Sequence, residues 1–239
     1  MGTEAVEPLA IRNVILIGDE DGVAGLAHRL RRLSGSPGTS IRWVTDRVEH
    51  TLRVAEVSSR SPERSIRVAE GVIAVVDATV GSTPRLEAML RAADDYQVAR
   101  LCLVTGLDRP GADFDGCVRA IADIRGAVPL PVHLPLGVGA GFRGVLDLVQ
   151  PVAENPGGPG RIAAQRHREL VHTVSGQARA MSPGRLRHGI ARLTRLGEVV
   201  PILCCAAPGV DDLAPLLDAV VRYLPSPMEV CQPEHALDQ

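Results

Sequence analysis

Apolar residues fall in short runs along this chain, and the runs alternate with stretches in which apolar positions recur every three or four residues. Asn13 to Ile17, reading "NVILI", is the first such run and predicts a strand; from Gly22 to Leu33, Leu26, Leu30 and Leu33 share one helical face. "SIRWVTDRVEHTLRVAEV", Ser40 to Val57, reads as two extended runs joined by a polar turn at Asp46 and Arg47, hence an antiparallel pair at one sheet edge. "GVIAVVDA", Gly71 to Ala78, is apolar almost throughout, which is the pattern of a central strand covered on both faces.

Further along, Thr83 supplies an N-cap and Pro84 a first helical position, with Leu86, Met89, Leu90 and Ala93 at helical spacing. "RLCLVT", Arg100 to Thr105, then completes a strand–helix–strand unit. Asp115 is positioned to cap a helix from Gly116 to about Arg125 with Val118, Ile121 and Ile124 inward. The last strand is expected over Val199 to Cys204. A closing helix capped by Asp212 follows, with Leu213, Leu216, Leu217, Val220 and Val221 as its apolar face, stopped by "PSP" at Pro225 to Pro227. Alternation of this kind predicts an α/β fold, a mostly parallel sheet with helices on both faces.

Glycine and proline punctuate "PVAENPGGPGR", Pro151 to Arg161, as a loop, and the texture changes from Pro129 to Gly197. The expected organisation is a core over residues 1–128 and 198–230, an arginine-rich insert over 129–197 ahead of the last strand, and a tail over 231–239. Between Arg161 and Arg195 eight arginines stand against one acid, Glu169, a local charge of +7 that leaves −9 on the rest of a chain whose net is −2.

With 239 residues, 45% hydrophobic and 23% charged, the chain can bury one substantial core. No apolar run approaches the roughly 18 residues of a membrane span, and the acidic start "MGTEAVEPLA" is unlike a signal peptide, so a cytoplasmic address and no membrane partner are expected. Five cysteines without metal-ligand spacing read as reduced thiols, Cys204 and Cys205 as buried strand residues. The seven histidines are scattered, and His133 reads as a core or loop residue; no metal site is expected.

The stretch "VILIGDEDGVAGLAHRL", Val14 to Leu30, has the strand, glycine turn and helix of a phosphate-binding loop, with Gly18 and Gly22 as its candidate glycines. For Gly22 the plainer reading is that it permits a tight turn. Yet all 26 basic residues of the chain are arginine, so no lysine can reach a phosphate.

"GVIAVVDATVGSTPRLEAMLRAADDYQVARLCLVTGLDRPGADF", Gly71 to Phe114, resembles the part of elongation factor G that runs from its central strand to its guanine-specificity loop. "GAVPLPVHLPLGVGAGFRGVLDLV", Gly126 to Val149, is similar to the start of the insert that family carries in its G domain. "LLDAVVRYLPSPMEV", Leu216 to Val230, resembles the closing helix, and "IRNV" at Ile11 matches the first strand. The resemblance implies the G-domain fold of a translational GTPase, standing alone, with GTP or GDP as the implied ligand.

Against the family's motifs the chain departs at the phosphate end. The lysine position falls on Val23 or Ala24 and the magnesium-binding hydroxyl on Ala24 or Gly25, while Asp19, Glu20 and Asp21 stand where a triphosphate would lie. Like charges about 4 Å apart repel by about 4 kcal/mol at an effective dielectric near 20. In "EVSSRSPERS", Glu56 to Ser65, Glu56 stands near the aspartate position of the Asp-Thr-Pro-Gly-His motif, but the proline-glycine hinge and the histidine have no counterpart. The specificity loop "TGLDR", Thr105 to Arg109, keeps Asp108, which either caps the following turn or contacts guanine as in the family. Ala206 and Ala207 stand where a Ser-Ala turn faces the base. The resemblance therefore implies a pseudo-GTPase module, or a weak GTP or GDP binder that relies on Asp108, with no catalytic residue in place. The family's insert faces the ribosomal stalk, which makes Arg185, Arg187, Arg192 and Arg195 candidates for a ribosomal protein partner or RNA phosphate; a solvated cationic face is the plainer reading.

Overall fold

A computed structural model describes residues 7–34, 40–57, 61–151, 159–177, 180–205 and 213–230. Strand β1 (Ile11–Gly18) leads straight into helix α1 (Glu20–Ser34), followed by the hairpin β2 (Ser40–Thr45) and β3 (Val48–Glu56). Helix α2 (Pro62–Arg67), β4 (Gly71–Asp77), α3 (Pro84–Asp95), β5 (Ala99–Thr105) and α4 (Phe114–Ala122) continue the alternation. Short strands β6 (Pro129–Pro131), β7 (His133–Pro135) and β8 (Val145–Asp147) precede α5 (Pro159–Ser175) and α6 (Pro183–Arg195). Strand β9 (Val200–Cys204), α7 (Ala214–Tyr223) and α8 (Pro227–Val230) close the described chain.

Seven strands form one sheet in the order β2-β3-β1-β4-β5-β9-β6, parallel except for β2, and β7 pairs antiparallel with β8 in a second, two-stranded sheet. Side chains alternate across the main sheet, so Ile73 and Val75 of β4 enter one apolar cluster while Val72, Ala74 and Val76 enter the other. The first cluster collects α1, α6 and α7, and the second collects α3 and α4. Covered twice over, β4 has all of its residues buried except Asp77, as its unbroken apolar run requires. In the 129–197 range, β6 lies beside β9 in the main sheet, and Leu170, Leu186, Ile190 and Leu193 of α5 and α6 join the first cluster.

The β2–β3 hairpin turns at Asp46 and Arg47, both with positive φ (50° and 68°), the double left-handed turn that matches strand twist. Of this pair β2 alone lies at the sheet edge, because β3 is hydrogen-bonded to β1 on its other side. Thr83 caps α3 by accepting from Leu86 N, and all four of its expected inward residues are buried.

Other boundaries differ from the sequence expectation. Asp113, not Asp115, caps α4: its carboxylate accepts from Gly116 N at 2.8 Å, so Phe114 and Cys117 turn inward while Val118 is half-buried. The helix ends at Ala122, short of Arg125. Asp212 lies outside the described residues; α7 begins after Leu213, which makes no side-chain cap bond, and the expected apolar face is buried. Beyond "PSP", the unpredicted α8 adds a short turn of helix. No helix among the described residues is long and apolar enough to cross a membrane.

Candidate functional site

Strand order reverses around β1: the chain leaves it for β2 and β3 on one side and returns to β4 on the other. In such sheets a crevice opens beyond the carboxyl ends of the strands at that point, and ligands bind there. Gly18, Asp77 and Thr105, the last residues of β1, β4 and β5, define its floor.

Gly18 sits at φ 140°, where an added Cβ would lie 2.6 Å from the Val75 carbonyl oxygen, so the two strands approach too closely for any side chain. The acidic residues after it do not form a loop. Helix α1 starts at Glu20, two residues before the expected boundary, with Val23 N donating to the Asp19 carbonyl at 3.0 Å. Glu20 and Asp21 thus occupy the first turn, where backbone N–H groups and the helix macrodipole favour negative charge. Asp19 Oδ1 accepts from Thr83 Oγ1 at 3.2 Å, and Glu20 Oε1 accepts from Arg85 Nη1 at 3.1 Å. Gly22 is the third residue of α1, so the tight-turn reading gives way to a helical glycine facing Val75.

At the neighbouring strand ends, Asp77 binds three donors: Thr79 N and Thr79 Oγ1 at Oδ1, and Arg109 Nη2 at Oδ2. Burial works to raise the Asp77 carboxyl, but these bonds outweigh it and hold the group below the ordinary carboxylate range. Arg109 lies over Gly106, whose φ is 72° and where any Cβ would meet the guanidinium. Thr105 Oγ1 donates to the Val76 carbonyl at 3.3 Å, and its own carbonyl accepts from Ala78 N, stitching the loop to β4.

Asp108 follows with one carboxylate oxygen, Oδ1, enclosed and without a hydrogen-bond partner among the described residues. Its Oδ1 makes no bond to the turn that follows, and the cap of the next helix is Asp113. Ala206 and Ala207 lie outside the described residues. The Asp77–Arg109 pair escaped the sequence reading. Its one signal was an acid ending an otherwise apolar strand, and nothing in a separation of 32 residues indicates the partner.

Away from the crevice, Cys102, Cys117, Cys204 and Cys205 are buried free thiols, and burial pushes Cys102 up to about 12 and Cys117 to about 11. His133 is buried with Nδ1 3.3 Å from the Cys204 carbonyl. Among the described residues no group of three or more His, Cys, Asp or Glu is placed to hold a metal ion.

The arginines of α6 do not form one patch. Arg185 and Arg192 are exposed on one side, Arg195 is held by Glu229 at 2.9 Å, and Arg187 turns toward a cavity under α7.

The strand order, the flanking helices and the crevice define a P-loop GTPase-like α/β fold. Residues 59–226 match the family "Elongation factor Tu GTP binding domain", and the chain belongs to that family. It is 38% identical over 191 residues to elongation factor G 2 of Streptomyces coelicolor and 39% identical over 193 residues to elongation factor G of Anaplasma phagocytophilum. Each alignment covers 70% of this chain but only 28% of the relative, so the chain spans under a third of these proteins' length. A crystal structure from Thermus thermophilus shares the fold, with a TM-score of 0.71 at 20% identity over 92% of this chain and 41% of that one.

Proposed function

We propose that this chain is a pseudo-GTPase: a G-domain fold kept as an interaction module of the translation machinery, without hydrolysis of GTP. The observation that carries the reading is the first turn of α1. There the positive helix end is already matched by Glu20 and Asp21, Asp19 is tied to Thr83 and Glu20 to Arg85, and no lysine exists in the chain to offset a triphosphate. The phosphate half of the crevice therefore does not suit the ligand implied by the family. Losing the charged hydrogen bonds of a lysine alone costs roughly 1.5 to 3 kcal/mol. The link to translation rests on relatives that are elongation factors, with the exposed Arg185 and Arg192 as the surface for a ribosomal protein or RNA phosphate.

One observation favours a second reading, weak guanine-nucleotide binding without hydrolysis. Asp108 Oδ1 is an acceptor with no partner among the described residues, and guanine N–H groups would satisfy it once the atoms that enclose it move aside. Calorimetric titration with GTP, GDP and ATP, each with and without Mg²⁺, separates the two. The pseudo-GTPase reading expects no binding below about millimolar nucleotide, equivalent to about 4 kcal/mol. Micromolar, guanine-selective binding lost in Asp108→Asn would establish the second reading instead. Co-sedimentation with ribosomes at low salt without nucleotide tests the module's partner, and its failure would remove the ribosomal link.

A further inference from the structure

A cavity of about 290 Å³ lies between the β7–β8 pair, α6 and α7, on apolar walls that include Val132, Val145 and Leu203. Six polar side chains also line it, and they divide into used and unused groups. Asp218 and Arg222 are committed elsewhere: they pair with each other at 3.2 Å, Asp218 accepts from Trp43 Nε1, and Arg222 donates to Asp46 and Thr45.

The other four are available. Arg187 makes no hydrogen bond or ion pair with any described residue although it shares the cavity with Asp147. Asp147 uses Oδ1 to accept from Val149 N at 2.8 Å, and its Oδ2 has no partner among the described residues. Tyr223 is only 5% exposed, yet its hydroxyl has no partner among the described residues and is not sealed in the core. It therefore faces the cavity. His133 points Nδ1 at the Cys204 carbonyl, which can only accept, so Nδ1 carries the proton and Nε2 is left as an acceptor.

The set holds two donors fit for a carboxylate, the Arg187 guanidinium and the Tyr223 hydroxyl, and two acceptors fit for an ammonium, Asp147 Oδ2 and His133 Nε2. From this geometry we infer that the cavity is a binding site for a free α-amino acid with an aliphatic side chain, its carboxylate on Arg187 and Tyr223 and its ammonium on Asp147 and His133. A simple anion would be repelled by Asp147 and Asp218, and a simple cation by Arg187 and Arg222, whereas a zwitterion leaves both charges matched. The apolar walls exclude a charged side chain, which would lose its water without a partner. The site is separate from the strand-end crevice, so its existence does not depend on whether nucleotide binds.

The test is a titration of the ¹⁵N-labelled chain with each of the twenty amino acids, followed by amide chemical shifts. Aliphatic members such as L-leucine are expected to give saturable shifts in β7, β8 and α7 with a Kd below about 1 mM. Leucinamide, which lacks the carboxylate, and 4-methylpentanoate, which lacks the ammonium, should each bind at least about tenfold more weakly, as should the variants Arg187→Gln and Asp147→Asn. Unchanged circular dichroism and thermal midpoints would show those variants to be folded; Tyr223→Phe, which keeps the ring, is the second check should either fail to fold. Absence of any saturable shift at about 10 mM of all twenty amino acids, or equal binding of leucine and its two truncated analogues, would overturn the inference.

Discussion

Arg109 Nη2 donates to Asp77 Oδ2 at 2.6 Å, joining the loop after β5 to the end of β4 across the strand-end crevice. Together with Thr79, it gives Asp77 three hydrogen bonds that only an ionised carboxylate can accept in full. Asp77→Ala is expected to destabilise the fold by about 0.5 to 1.5 kcal/mol in urea unfolding, the net worth of the lost hydrogen bonds, because Thr79 and Arg109 are exposed and their freed donors turn to water. Arg109→Ala should cost at most about 1 kcal/mol, because the guanidinium is 44% exposed and its pair is screened.

The same carboxylate sets a pH dependence. Asp77 is held below its ordinary range in the fold, whereas an unfolded aspartate titrates near 3.9, so the unfolded chain takes up the proton first as pH falls. Its contribution is complete above about pH 5 and disappears as pH drops through the folded value. Urea midpoints measured from pH 6 down to pH 3 should fall less steeply in Asp77→Asn than in the parent chain.

These relationships mark the limit of what the sequence discloses. The layered α/β fold was legible because its signal is local: β4 is a continuous apolar run, and Leu86, Met89, Leu90 and Ala93 repeat at helical spacing. Boundaries set by competition between neighbours were not. Asp113 and Asp115 are both able to cap, and the inward turn of Phe114 and Cys117 decides for Asp113. Glu20 and Asp21 fall before the expected helix start at Gly22, yet acids are at home in a first helical turn. Long-range pairs left no sign of which residue is the partner. Arg100 opens an apolar strand at 1% exposure because Asp94 and the Gly197 carbonyl, 97 residues away, receive its guanidinium.

His133 supplies a second pH-sensitive element. Burial lowers its pKa and outweighs both the Cys204 carbonyl and Asp147, so the folded chain keeps it neutral while the unfolded chain protonates it near 6.5. Its neutral form contributes fully above pH 6.5, and stability is lost as pH falls from there toward the folded value. His50 shifts in the same direction, with burial the largest cause. Comparing His133→Gln with His50→Gln at pH 7.5 and pH 5.5 should reduce the acid destabilisation in each, and more in the variant of the more deeply buried residue, His133.

Thiol labelling tests both faces of the sheet, since Cys102, Cys117 and Cys204 belong to one apolar cluster and Cys205 to the other. Cys102, Cys117, Cys204 and Cys205 are all buried, and burial raises each thiol. In a Cys231→Ser variant, a disulfide reagent at pH 8 should find no rapidly reacting thiol in the native chain and all four after unfolding. A native burst of one equivalent would place one of these four cysteines within reach of solvent.

Glycines in and beside α1 should respond in opposite directions. Gly25 is exposed with no heavy atom within 4 Å of an added Cβ, so Gly25→Ala should stabilise by about 0.5 to 1 kcal/mol through helix propensity. Gly18→Ala must push a methyl group into the Val75 carbonyl at a φ of 140°, and should cost roughly 1 to 3 kcal/mol or more. Thermal midpoints of the two variants, measured side by side, check both signs.

Asp108 and Asp113 lie five residues apart and should differ as sharply. Asp113 accepts from Gly116 N as the cap of α4, so Asp113→Ala should cost about 1 kcal/mol. Asp108 carries an enclosed oxygen with no partner among the described residues, a group that costs stability as long as it stays unpaired. Asp108→Ala should therefore leave the urea midpoint unchanged or raise it, despite removing a charged residue from the floor of a crevice. A loss comparable to that of Asp113→Ala would mean that Asp108 holds the loop together, and its spare acceptor would then lose its force as a sign of guanine recognition.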